Sequence, residues 1–205
     1  MTDTFKDLNG VLLAGHIKIT DPESGEVLID KRNAIHYENM SIALAESLAN
    51  AGQGPIYKMA FGNGGTSVDP TGIITYLTPN STGTNASLYN QTFNKVVDDQ
   101  ASNNTDPVRN KIETRHVSGT NYTDILVSCL LDYGEPSGQD AFDTTTNTEN
   151  LYVFDELGLI SAGASGTDGR LLTHVIFHPV QKSLNRLIQI DYTVRVQSLT
   201  GFNEV

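Results

Sequence analysis

The chain of 205 residues has no tryptophan, one cysteine, and only 13 lysines and arginines against 24 aspartates and glutamates. With Cys129 alone, no intrachain disulfide exists. Cys129 sits in an apolar, strand-like pattern, which marks it as a small buried hydrophobe rather than a reactive thiol. The cations are dispersed and form no basic stripe. Clustered cations are what grip a nucleic-acid backbone, so no nucleic-acid partner is expected. The net charge of −11 speaks for solubility rather than for a function. There is no run of 18 apolar residues, so neither a transmembrane helix nor a membrane partner is expected. The opening MTDTFKDLNG lacks a basic region followed by an apolar one, and no signal peptide is expected. Without tryptophan, any aromatic platform for a sugar rests on Tyr57, Tyr76, Tyr89 and Tyr122.

What is present is β patterning. In residues 188–196, Ile188, Ile190, Tyr192, Val194 and Val196 alternate with polar residues, the period of a strand with one buried face. Residues 171–177, LLTHVIF, are apolar on both faces, and His178-Pro179 is expected to end that strand, since proline cannot donate to a ladder. Residues 151–160 form a third strand, joined to LLTHVIF by a glycine-rich hairpin tip, SAGASGTDG. Near the N-terminus, residues 11–20 and 26–31 flank the turn DPESG. Residues 111–117 and 124–133 read as another hairpin, with Ile125, Val127, Cys129 and Leu131 facing the core. One helix is expected near residues 39–50: Asn39 is a plausible N-cap, Met40, Leu44 and Leu48 recur at four-residue spacing, and Ala51-Gly52 stops it. The fold class is therefore mainly β: a single antiparallel β-sandwich domain over residues 1–205, jelly-roll-like, with an N-terminal arm at about 1–10 and a long loop at about 134–150.

No constellation of catalytic residues stands out. The strand at 56–61 ends in Gly62-Asn63-Gly64-Gly65-Thr66, but no Lys-Ser/Thr follows, so a phosphate-binding loop is a weaker reading than a β turn with several positive φ angles. His174 and His178, four apart on a strand, are separated by about 13 Å, too far to share a metal. Asp140 and Asp143 are the loop carboxylates a calcium or magnesium ion would use, yet nothing has the D-x-D-x-D-G arrangement that wraps calcium. Asp155 and Glu156 stand inside an apolar strand, where a carboxylate must be hydrogen-bonded, paired or turned outward. As neighbours they point to opposite faces and do not flank one glycosidic bond. No catalytic, metal or cofactor residues are assigned, and no enzymatic activity is expected.

Several of these pieces fall in a suggestive order. They are an N-terminal hairpin, the N-x-I-H of residues 33–36 before a short helix, AFGNGGT at 60–66, DELGL at 155–159, GRLLTHVIF at 169–177, PVQK at 179–182, and the alternating strand at 188–196. In that order they resemble small β-rich virion structural proteins of tailed bacteriophages. The resemblance covers most of the chain and carries no site residues. It implies a virion subunit, assembled in the host cytoplasm as a homo-oligomer, at the neck or collar between head and tail. Its partners would be head–tail connector, tail or capsid subunits. Capsid decoration, or a receptor- or glycan-binding module at the baseplate or tail fibre, is the alternative. Residues 1–14 and the loop at 134–150, with Phe5, Leu8 and Phe142 set in polar sequence, are expected to be assembly arms.

Overall fold

The computed structural model describes residues 10–137 and 151–199. The expected N-terminal arm before Gly10, and Asp140, Phe142 and Asp143 of the long loop, lie outside the described residues. The elements are β1 (Gly10–Thr20), β2 (Val27–Ile35), α1 (Tyr37–Leu48), β3 (Ile56–Gly62), β4 (Thr66–Val68), β5 (Ile74–Tyr76), β6 (Gln91–Val96), β7 (Lys111–His116), β8 (Tyr122–Leu131), β9 (Leu151–Ala162), β10 (Asp168–Leu171), β11 (Thr173–Ser183) and β12 (Ile188–Leu199).

The fold is mainly β, with a large, curled antiparallel sheet and one helix. Its strand order is β6-β3-β9-β11-β2-β1-β12-β8-β7, with β10 beside the far end of β9. β4 and β5 form a separate two-stranded ribbon. The two flanks of the sheet meet at a narrow crease, where β11 pairs β2 through Thr173↔Ile35 and His174↔Ala34 alone. Across the crease they share one core. Met59, Phe61, Phe154 and Phe177 from one flank pack in the same cluster as Ile17, Val127, Ile190 and Tyr192 from the other. The outer strands also approach each other, since Lys95 Nζ of β6 donates to the Leu130 carbonyl of β8 at 2.7 Å.

The final strand behaves as its alternation requires: Ile188, Ile190, Tyr192 and Val194 are buried between polar neighbours. Cys129 is fully buried and free, and burial pushes its thiol up to about 12. The double-sided apolar character of residues 171–177 has a clear origin. One face joins the main core, while Leu171 joins Ala60, Leu88 and Ile160 in a second small cluster, with Leu88 supplied by the segment between β5 and β6. The run is thus two elements, β10 ending at Leu171 and β11 beginning at Thr173, whose apolar residues serve the two clusters.

Three expectations are corrected. Pro179 does not end its strand: β11 continues to Ser183, and the pairing with β9 shifts register between Ile176 and Val180, so the proline occupies an irregularity where no ladder donor is needed. Asn39 is not the N-cap. His36 is, its Nδ1 accepting from Asn39 N at 3.1 Å, while the buried Asn39 side chain donates to the Leu171 carbonyl at 2.9 Å. Residues 10–14, taken as part of an arm, are the start of β1.

Aromatic packing anchors the core. The Phe154 ring meets Phe61 and Phe177 edge-on at 5.5 and 5.7 Å between centroids, and stacks on Tyr152 at 5.6 Å. Truncating a fully buried phenylalanine costs about 3–5 kcal/mol. Phe154→Ala is therefore expected to lower unfolding free energy by about that amount. A loss below about 1 kcal/mol in a denaturant titration would contradict this packing.

Candidate functional site

The most concentrated chemistry in the described residues lies where β3, β9 and β11 meet. Asp155 and Glu156 of β9 are both buried, although neighbours on a strand face opposite ways. Both nevertheless hold one loop, the glycine-rich turn between β3 and β4. Glu156 Oε1 accepts from Gly64 N at 3.1 Å and Asn90 N at 2.8 Å. Its Oε2 accepts from Tyr89 N at 2.9 Å and lies 2.9 Å from His174 Nε2. Asp155 Oδ1 accepts from Gly65 N at 2.9 Å, and Oδ2 accepts from Thr66 N at 2.9 Å and from the Thr66 hydroxyl.

The histidine has a defined tautomer. Asn80 N donates to His174 Nδ1 at 2.8 Å, so that nitrogen uses its lone pair and the proton sits on Nε2, pointing at Glu156. His178, four residues on, is exposed and meets the Tyr76 hydroxyl at 3.2 Å through Nδ1. The two histidines thus serve separate contacts. No cluster of three or more metal-ligating side chains forms among the described residues.

The glycine loop is not built as the sequence suggests. None of Gly62, Gly64 and Gly65 has a positive φ. The requirement is space: a Cβ on Gly62 would stand 2.5 Å from both the Asn90 carbonyl and Glu156 Oε1, and one on Gly64 would stand 2.8 Å from Asn90 N. Backbone amides do converge on an anion, as in a phosphate loop, but the anions are this chain's own carboxylates. The sequence signal was the pairing of a glycine-rich loop with two acidic residues inside an apolar strand. Missed altogether were the three asparagines around them: Asn63 and Asn90 bond side chain to side chain at 2.6 Å, and Asn80 gives its backbone N–H to His174 and its Nδ2 to the Ser87 carbonyl, both at 2.8 Å.

Electrostatically the two carboxylates part. Burial raises both, but in Glu156 the His174 bond and the amides of Asn90, Tyr89 and Gly64 prevail and hold it below the ordinary value. In Asp155 burial prevails over Thr66 and Gly65, and its carboxyl stays raised. Every oxygen of the pair already accepts hydrogen bonds from within the chain, so the arrangement does the work of a clamp. It ties β9 and β11 to the base of the β4–β5 ribbon and to the segment between β5 and β6.

Above this base the ribbon carries apolar side chains outward. Val68 is 61% exposed, Ile73 63% and Tyr76 50%, with Leu77 and Tyr89 exposed beside them. Its tip is set by Asp69, whose Oδ1 accepts from Thr71 N, Thr71 Oγ1 and Ile73 N at 2.7–3.0 Å. These bonds, led by the Thr71 hydroxyl, hold the Asp69 carboxyl below its ordinary value. Of the four tyrosines proposed as a platform, Tyr76 and Tyr89 are exposed here. Tyr57 is buried, and the face of Tyr122 is covered by the Arg195 guanidinium at 3.8 Å.

Because Glu156 has a lowered folded-state pKa, its contribution to stability is complete above the ordinary value of 4.5 and is lost as pH falls through the lower folded value. Asp155, raised, works in the opposite sense: its ionisation costs stability as pH rises from 3.8 towards the raised value. Glu156→Gln turns an amide –NH2 against donors and should cost about 2 kcal/mol or more at neutral pH. The gap between the two proteins should close as pH is lowered below about 4.5. A gap that stays constant from pH 7 to pH 3 in denaturant titrations would rule out the charged clamp.

Comparison of the chain with family models, with curated proteins and with solved structures returns no match.

Proposed function

We propose that this protein is a non-enzymatic structural subunit of a tailed bacteriophage virion, working as a homo-oligomer at the neck or collar between head and tail. Its partners are head–tail connector, tail or capsid subunits, and it assembles in the host cytoplasm. The observation that carries the reading is the β4–β5 ribbon, which offers exposed Val68, Ile73 and Tyr76 on a base locked by two buried carboxylates. Apolar side chains presented on a stiff support suit a repeated protein–protein contact, since little ordering entropy is lost on docking. The full internal use of Asp155 and Glu156 supports a structural role for the most chemically concentrated spot in the described residues. No helix among the described residues is long and apolar enough to cross a membrane.

A second reading, a glycan- or receptor-binding module, is favoured by one observation. Tyr76 and Tyr89 are both exposed at the ribbon, and sugar-binding surfaces use such rings.

Mass spectrometry and imaging of purified particles of the parent phage are expected to find the chain in stoichiometric amounts in the neck region; its absence from washed particles would overturn the proposal. In parallel, Ile73→Asp is expected to leave the circular-dichroism spectrum unchanged and to abolish incorporation into particles. Normal incorporation would remove the ribbon from the account. Tyr76→Ala separates the readings: loss of glycan binding by the wild-type surface, with incorporation intact, favours the module.

A further inference from the structure

β1 is paired on one side along its whole length by β12, from Gly10↔Leu199 to Thr20↔Gln189. On its other side β2 covers only the part from Gly15 to Thr20. Ala34 and Ile35 turn away to pair with β11, and the chain then enters α1. Residues 10–14, GVLLA, are left with an open strand edge on which Val11 is 63% exposed and Leu12 46%. An open apolar edge is a template for one more strand. Adjoining it is an apolar pocket of about 320 Å3 between α1 and the inner faces of β1, β8 and β12. Leu13, Met40, Leu44, Ile125, Val194 and Val196 are among its walls, and it has room for a large apolar side chain.

The segment that joins the chain at this edge is residues 1–9, MTDTFKDLN, with Phe5 and Leu8 as its large apolar side chains besides Met1. Residues 200–205 are a poorer fit, because β12 is flanked on both sides where they begin: β1 pairs Leu199, and Ser198 N donates to the Asn121 carbonyl at 2.8 Å. Nine residues span up to about 30 Å when extended, enough to reach a neighbouring subunit. A return onto its own edge is poorly served. Gly10 is already held in the ladder opposite Leu199, so a reversal could begin only before it and would consume residues 6–9.

We propose that the open edge of β1 and its pocket receive the N-terminal segment of a second copy of this chain, added as a strand with Phe5 seated in the pocket. The proposal deepens the reading as an assembly subunit and rests on it for its biological setting, yet it needs only two copies of the chain. Self-association of the pure protein therefore tests it apart from any particle.

The test uses full-length chains. Ser47 lines the pocket and Cys129 is sealed in the core, so introduced thiols report alone. A preparation carrying Phe5→Cys is mixed with one carrying Ser47→Cys and mildly oxidised. A band of twice the chain mass is expected on a non-reducing gel from the mixture and not from either preparation by itself. No linked dimer from the mixture overturns the proposal, as does a link found only inside a single chain that carries both Phe5→Cys and Ser47→Cys. Phe5→Asp provides the second measurement. Light scattering after size-exclusion chromatography should show wild-type oligomers replaced by monomer, with the circular-dichroism spectrum unchanged; a wild type that is monomeric at all concentrations overturns the proposal. If the cross-link forms but the chain is missing from particles, arm exchange stands and the virion assignment falls.

Discussion

The burial of one negative charge orders this corner of the protein. Glu156 sits in an interior strand of its flank with no solvent contact, and an uncompensated carboxylate there costs on the order of several kcal/mol. Compensation comes from four donors on three separate stretches of chain: Gly64 after β3, Tyr89 and Asn90 before β6, and His174 on β11. Those stretches are fixed relative to one another because each must keep its donor on target. Asp155 repeats the device one residue earlier and catches the first residue of β4. The ribbon thus starts from an electrostatic anchor instead of a hydrophobic one.

The polar loops owe their order to similar bonding. Asn39 holds α1 to the end of β10 through the Leu171 carbonyl, and His36, at the head of the same helix, reaches the Gly83 carbonyl at 3.0 Å. Buried Asn110 accepts from Leu130 N at 2.9 Å, and Asn104 donates to the carbonyls of Asp98 and Asn110 at 3.0 and 2.8 Å. The residues between β5 and β6 also deliver Leu88 to the second cluster, which lets β9 and β10 be apolar on their outer side. An asparagine-rich chain with few cations in this way draws on side-chain amide hydrogen bonds to backbone alongside its ion pairs.

Strand period carried most of the architecture into the sequence. The alternation at 188–196, the hairpin of β7 and β8 and the burial of Cys129 were all legible, because each depends on a local two-residue repeat. The helix was legible, but its start was not: histidine is an uncommon cap, and Asn39 looked the better acceptor until its side chain was spent on β10. Pro179 misled because proline forbids a donor but not a strand, and the register shift supplied a place with none required. The clamp was half legible. Two acids in an apolar strand announced that partners must exist, but those partners are backbone amides far along the chain, and amides leave no mark on a sequence. The same holds for Gly62 and Gly64, whose need for space is set by Asn90 and not by any local turn.

The register of β1 and β12 has a mechanical meaning. Gly10 and Leu199 are directly opposed, so both chain ends depart from the same rung of an antiparallel ladder. Tension applied to the two ends together opens that ladder like a zipper, breaking one rung at a time at low force. Tension between the N-terminal end and the body of the domain instead loads the β1–β12 rungs in shear, where the bonds resist collectively. The molecule is therefore weak if stretched from tip to tail and strong if hauled by its front end alone.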